Sequence, residues 1–159
     1  MGEAVVRDAV EADAAAVAGL IRAAFAGLGV VPPPSALGET TESVARTLEG
    51  SGEGSGGAVA EAGGEIVGAV LWTERDGALY LGRLVVAEGW RRRGLATALV
   101  GAGERAARAR GIGRLTLGTR LALTGNRRLF ASLGFRETTR HRHAGFTEDT
   151  WVTMERDLA

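Results

Sequence analysis

Val17, Leu20, Ile21, Ala24 and Phe25 recur at steps of three and four, the spacing of one face of an α-helix, with Asp13 placed to cap it. Before them, Ala4 to Arg7 reads as a short strand. Pro32-Pro33-Pro34 breaks the pattern into an extended loop, after which Thr41 to Leu48 sets Val44 and Leu48 on one helical face. The stretch from Gly50 to Gly57 reads as a flexible connector. Ala58 to Ala62 and Glu65 to Thr73 flank Gly63-Gly64, the signature of a tight β-hairpin, and Asp76-Gly77 marks a second turn. Leu79 to Val86 is the next strand. Gly94 to Arg110 follows as a helix with Leu95, Leu99, Ala102 and Ala106 on one side, closed by Gly111-x-Gly113. Leu115 to Leu117, Phe135 to His143 and Trp151 to Leu158 read as strands, and Arg127 to Leu133 as a short helix. The predicted order is β, α, α, β, β, β, α, β, α, β, β, a mixed α/β chain.

The 159 residues suffice for one domain with a real core, and residues 1–159 are read as that domain. Cysteine is absent, which excludes disulfides, thiolate metal sites and a cysteine nucleophile, and fits a reducing compartment. No apolar run approaches the ~18 residues that a membrane helix needs. The first residues lack the basic and apolar regions of a signal peptide. A cytoplasmic location is therefore expected. Net charge is zero but unevenly spread: residues 1–82 hold 12 acidic residues and 4 arginines, residues 83–159 hold 7 and 15. All 19 basic residues are arginine, which rules out a catalytic lysine. Without an overall basic excess, and with few aromatics, nucleic-acid binding is not expected.

The chemistry concentrates in Leu84-Val85-Val86-Ala87-Glu88-Gly89-Trp90-Arg91-Arg92-Arg93-Gly94-Leu95-Ala96-Thr97. A buried strand runs through a short basic turn into a helix. Unpaired N–H groups and the positive end of the helix dipole face whatever sits at such a turn. Three consecutive arginines repel that dipole unless an anion lies between them, and phosphates are the obvious anion. Amides from about Arg93 to Thr97 are placed to bind a pyrophosphate, with Gly94 and Ala96 small enough to leave room for it.

Arg91-x-x-Gly94-x-Ala96 resembles the Arg/Gln-x-x-Gly-x-Gly/Ala signature of the GNAT superfamily, the acyl-CoA-dependent N-acetyltransferases. Asn126-Arg127-Arg128-Leu129-Phe130-Ala131-Ser132-Leu133-Gly134-Phe135 is similar to that family's C-terminal segment, an Asn and an aromatic followed by Leu-Gly-Phe. The resemblance spans roughly Ala4 to Leu158 in element order. It implies a mixed, mostly antiparallel sheet of about seven strands flanked by about four helices. It implies acetyl-CoA as co-substrate, with the backbone of Leu84, Val85 and Val86 pairing with the pantetheine amides as a strand would. Arg91, Arg92, Arg93, Gly94, Leu95, Ala96 and Thr97 would then hold the pyrophosphate, and Asn126 and Phe130 the CoA arm. Asn126, after Thr124-Gly125, is equally well placed to cap a helix. In the family the strand ending at Val86 splays from the one near Leu115.

The amine acceptor has to lose a proton before it attacks. A lysine-like amine, with a pKa of ~10.4, is about one part in a thousand neutral at pH 7, so a base is useful. Many family members use a carboxylate on the central strand; Leu79 to Val86 has none, and Tyr80 is its only proton-transfer candidate. Glu74, Asp76, His141 and His143 are the other candidates, with Tyr80 and His143 the leading pair. His141 and His143 would share a strand face, but no third ligand accompanies them, and no metal site is expected. Where the family often has a tyrosine that returns a proton to the leaving thiolate, this chain has Phe130. A thiol titrates near ~8.5, so its thiolate leaves tolerably without that help.

Two other readings stay open at this level. Phe130 and the missing strand carboxylate suit a non-catalytic acyl-CoA sensor. Gly101-x-Gly103-x-x-Ala106 mimics a dinucleotide fingerprint, although no acidic residue ends the next strand. The acceptor is expected to be a small-molecule or peptide amine, cationic if the acidic N-terminal half faces it. Homodimerisation is an expectation from the fold resemblance.

Overall fold

The computed structural model describes residues 3–50 and 54–159. Among them seven strands form one sheet: β1 (Val5–Asp8), β2 (Ser55–Ala62), β3 (Glu65–Arg75), β4 (Ala78–Val86), β5 (Arg114–Arg120), β6 (Arg136–His141) and β7 (Trp151–Asp157), in the spatial order β1-β2-β3-β4-β5-β7-β6. All neighbours run antiparallel except β4 and β5. That single parallel pair requires a crossover, supplied by α3 (Leu95–Ala109). The other helices are α1 (Ala14–Ala26), α2 (Thr41–Glu49) and α4 (Thr124–Ser132). The mixed, mostly antiparallel sheet with four helices is as expected.

Strand alternation divides the core between two faces. Val59, Ala69, Leu71 and Val85 meet Val17, Ile21, Val44 and Leu48 of α1 and α2. Val70, Leu79, Leu81, Leu115 and Leu117 point the other way, towards Leu99 and Val100 of α3 and Phe130 of α4. Both hairpin turns need left-handed backbone: Gly63 and Gly64 have φ +56° and +84°, Asp76 and Gly77 +52° and +77°. Among the described residues, no helix is long and apolar enough to cross a membrane.

Three local expectations change. Ser51, Gly52 and Glu53 of the Gly50–Gly57 connector lie outside the described residues, but Ser55–Gly57 are strand, paired with Leu71–Thr73. Glycine is required there for packing: a Cβ on Gly57 would sit 2.6 Å from the Val70 carbonyl oxygen and 3.3 Å from Leu48. Asp13 does not cap α1 with its side chain. Its carboxylate turns back to accept from the Val10 N–H (2.8 Å) and from both terminal nitrogens of Arg7 (2.9 and 3.0 Å). The reciprocal cap is on α2, where Thr40 Oγ1 accepts from the Ser43 N–H (3.0 Å) and Ser43 Oγ from the Thr40 N–H (2.9 Å). The strand expected to run to His143 ends at His141, because the chain turns there towards the Thr150 that begins the return.

Candidate active site

β4 and β5 are paired only at Leu79–Leu115 and Tyr80–Thr116. Beyond this fork the two strands part, so the splay implied by the resemblance is present. From Leu81 onward β4 has a partner only in β3, and its other edge is open. An unpaired strand edge inside a protein is a site for an extended ligand, which supplies the missing hydrogen bonds.

The parting is shaped by a β-bulge. Leu71 pairs with Gly82 and Ala69 with Val85, so Arg83 and Leu84 together oppose Val70. Arg83 takes φ +53°, a left-handed conformation that costs energy for a residue other than glycine. Its side chain is what holds it: Nε donates to Glu39 Oε2 (2.8 Å) and Nη2 to Ser35 Oγ (3.2 Å). The loop between α1 and α2 is thereby fastened to β4. Burial pushes the Glu39 carboxyl up, but the Ser43 hydroxyl and the Arg83 guanidinium outweigh it and hold the group below its ordinary range. The bulge also swaps faces, so Val85 packs under α1 and α2 while Leu84 and Val86 lie with the α3-side core. A cavity of about 700 Å³ fills the fork.

At the open end of the fork β4 leads into the basic turn. Gly94, with φ +79°, begins α3, and no atom lies within 4 Å of where its Cβ would be. Glycine is thus demanded first by the backbone, and the space beside it is free for an anion. No side chain caps α3, its first turn carries no acidic residue, and the first amide to bond back is that of Ala98, to Gly94 O (3.0 Å). The amides of Leu95, Ala96 and Thr97 are left facing outward. Arg91, Arg92 and Arg93 are exposed around them; Arg91 Nε donates to Val86 O (3.3 Å) and the Arg93 guanidinium lies 4.7 Å over the Trp90 ring. The side chain of Leu95 itself is core, only 8% exposed, so its contribution to an anion is its N–H. Trp72 contributes to the cavity wall, and its Nε1 is buried in the core without a hydrogen-bond partner.

The remaining candidates separate cleanly. Tyr80 and His143 line the cavity. Tyr80, the last paired residue of β4, puts its hydroxyl 3.3 Å from the position of a Cβ on Gly118, which Trp151 also covers at 3.2 Å; Arg75 lies 4.1 Å from its ring centre. His143 holds Thr150 through Nδ1 and through its backbone N–H (3.0 Å). Burial, then the nearby Arg120 charge, keeps its imidazole below the usual histidine range. His141, Glu74 and Asp76 lie off the cavity wall. His141 stacks on Trp151 at 3.9 Å with Nε2 on Thr153, Glu74 stands 3.8 Å from Arg110, and Asp76 forms the β3–β4 turn. No group of three metal-ligating side chains occurs among the described residues.

Asn126 is on the cavity wall but is not a cap; α4 starts at Thr124 behind Leu123, which leaves Asn126 in the first turn with its side chain free. Phe130 both lines the cavity and packs edge-on against Phe135, ring centres 6.1 Å apart. The sequence did not single out Arg83, Glu39, Trp72 or Arg120. A lone charge within the apolar run Leu79–Val86 was the available sign of the bulge; nothing local marks Glu39, which meets Arg83 from 44 residues away.

Residues 31–135 match the family model described as the acetyltransferase (GNAT) family. Comparison with curated protein sequences returns no match. Among solved structures, a GNAT-family acetyltransferase from Streptococcus pneumoniae superposes with a TM-score of 0.78 at 22% identity, covering 99% of this chain and 100% of that one. The PaiA N-acetyltransferase of Thermoplasma acidophilum, in complex with coenzyme A, gives 0.78 at 14% identity over 99% and 100%. The ribosomal-protein-alanine N-acetyltransferase of Brucella melitensis gives 0.79 at 23% identity over 97% and 99%. The matched segment holds the bulged strand, the fork and the basic turn, and this chain belongs to the GNAT family of acetyltransferases.

Proposed function

We propose that residues 1–159 form one catalytic unit that moves an acetyl group from acetyl-CoA to a primary amine by direct attack. The observation that carries this is the fork: two paired positions between β4 and β5, then an open strand edge that ends at an uncapped helix start ringed by arginines. Outward amides of Leu95, Ala96 and Thr97, with Arg91, Arg92 and Arg93, suit the pyrophosphate. The open edge of Leu84, Val85 and Val86 suits the pantetheine arm, with Asn126 and Phe130 on the facing wall. The coenzyme A held by the T. acidophilum neighbour supports this assignment.

His143 takes the proton from the attacking amine. Its pKa is held below the usual histidine range, which favours the neutral ring, and its Nδ1 is engaged with the Thr150 hydroxyl, so Nε2 is the nitrogen left for the amine. A β4 amide on the open edge polarises the thioester carbonyl. Tyr80 stands at the fork and supplies the hydroxyl that Phe130 lacks, for the departing thiolate. Phe130 also favours a second reading, a CoA-binding module without turnover.

One experiment separates the two. Acetyl-CoA and CoA are expected to raise the melting temperature, by about 2.7 kcal/mol of added stability at a hundredfold excess over Kd. An amine panel followed by free-thiol release then reports turnover. Binding without thiol release from any amine supports the module; no shift with either ligand refutes the CoA site, and a shift with NAD(P) instead moves it to Gly101-x-Gly103.

A further inference from the structure

The acceptor side of the fork carries an unanswered positive charge. Three arginines line it, Arg75, Arg83 and Arg120, beside the neutral His143. The one carboxylate on the same wall is Glu39, and both its oxygens are engaged, Oε1 by the Ser43 hydroxyl (2.6 Å) and Oε2 by Arg83 (2.8 Å). Arg75 rests on the Tyr80 ring. Nη1 of Arg120 is completely buried and makes no hydrogen bond, and no ion pair holds its guanidinium among the described residues. Asp149 lines the adjoining hollow with Arg120 but does not pair with it. Desolvation without compensation is expensive for a guanidinium, whose planar fork matches a carboxylate.

Position sets the size of what would fit. Arg120 lies two residues beyond Gly118 on the same face of β5, about 7 Å along the strand. Gly118 is where the Tyr80 hydroxyl and Trp151 meet, at the point where the strands part. Arg120 and Gly118 both line the cavity, so a carboxylate on Arg120 belongs to a ligand of about the size of that step. Phe25, Leu28, Pro33 and Trp151 add apolar surface to the same lining.

We propose that the acceptor is a small amine bearing its own carboxylate, an apolar α-amino acid, and that Arg120 binds that carboxylate and so determines specificity. This rests on the acetyltransferase reading and sharpens it. It also replaces the cationic acceptor that the acidic N-terminal half suggests, because the charge on this wall is positive.

The test is calorimetric titration of the protein, with and without saturating CoA, by L-leucine and L-phenylalanine and by their carboxamides. Acid and amide share the same side chain and α-amino group, so a preference for the acids reports recognition of the carboxylate. The acids are expected to bind tenfold or more tightly than the amides. Arg120→Gln is expected to erase that difference with CoA affinity and melting temperature retained, and Arg120→Lys to restore part of it. Equal affinity for acid and amide, no binding of either, or a difference that survives in Arg120→Gln would overturn the proposal. Loss of CoA affinity in Arg120→Gln would also overturn it, by placing Arg120 on the co-substrate. Failure of CoA to bind the wild-type protein refutes the acetyltransferase reading instead, and the titration without CoA still decides the carboxylate.

Discussion

His143 shows how a single side chain comes to line a cavity that its neighbour does not reach. It and His141 are two residues apart, yet only His143 reaches the cavity, because β6 ends between them. Its pKa is lowered, so the neutral, proton-accepting form persists to more acidic pH than for an ordinary histidine. If it is the base, kcat falls as pH drops through an inflection below about 6.5. His143→Gln should remove that inflection and lower kcat roughly a hundredfold. A pH–rate profile of both proteins checks this; an inflection that persists in the variant assigns the proton to another group. Residue identity was enough to nominate Tyr80 and His143 and to reveal Gly94 in its turn. It was not enough to discard Glu74, Asp76 and His141, whose exclusion depends on where strands stop. Nor could it nominate Arg120, one of 19 arginines until burial leaves its Nη1 without a partner.

Among elements, the join between β1 and α1 depends on one carboxylate. Asp13 is 8% exposed and accepts from Arg7 and from the Val10 amide, which ties the end of the strand to the turn before the helix. The Arg7 guanidinium, outweighing burial, holds the Asp13 pKa below its ordinary value. A depressed carboxylate stabilises the fold above its unfolded pKa of ~3.9, and the contribution disappears as pH falls through the folded value. Asp13→Asn should therefore cost about 2 kcal/mol at neutral pH, and the gap to wild type should shrink below about pH 4. Urea unfolding across that range measures it; a gap independent of pH would mean that shape, not charge, is what Asp13 supplies. Element types and order were legible because apolar spacing declares them. The bulge was not, since it depends on Glu39 and Ser35 arriving from a distant loop.

Across the whole molecule, the change from acidic to basic sequence falls inside β4, at the bulge. Residues 1–82 supply β1 to β3, α1, α2 and the first part of β4, while the 15 arginines of residues 83–159 sit on the end of β4, α3, α4, β5 to β7 and their connections. The anion turn belongs to the basic part. CoA affinity should consequently weaken severalfold between about 0.05 and 0.5 M salt, as the screening length drops from roughly 14 to 4 Å. Titration at several ionic strengths tests this, and a flat response would confine the binding energy to the helix amides and the strand edge. The sequence showed the charge division and the order of elements. It did not show that the division coincides with the fork, because the parting of β4 from β5 has no residue signature.

The fork means that the sheet is spliced across its centre by only two pairs of residues, Leu79–Leu115 and Tyr80–Thr116. Four strands hang on one side of that splice and three on the other. Whatever occupies the gap works as a removable rung between the two wings. Elsewhere the wings are joined by the side chains of the α3-side core that runs beneath both, so an occupant adds backbone rungs where packing alone now spans the seam.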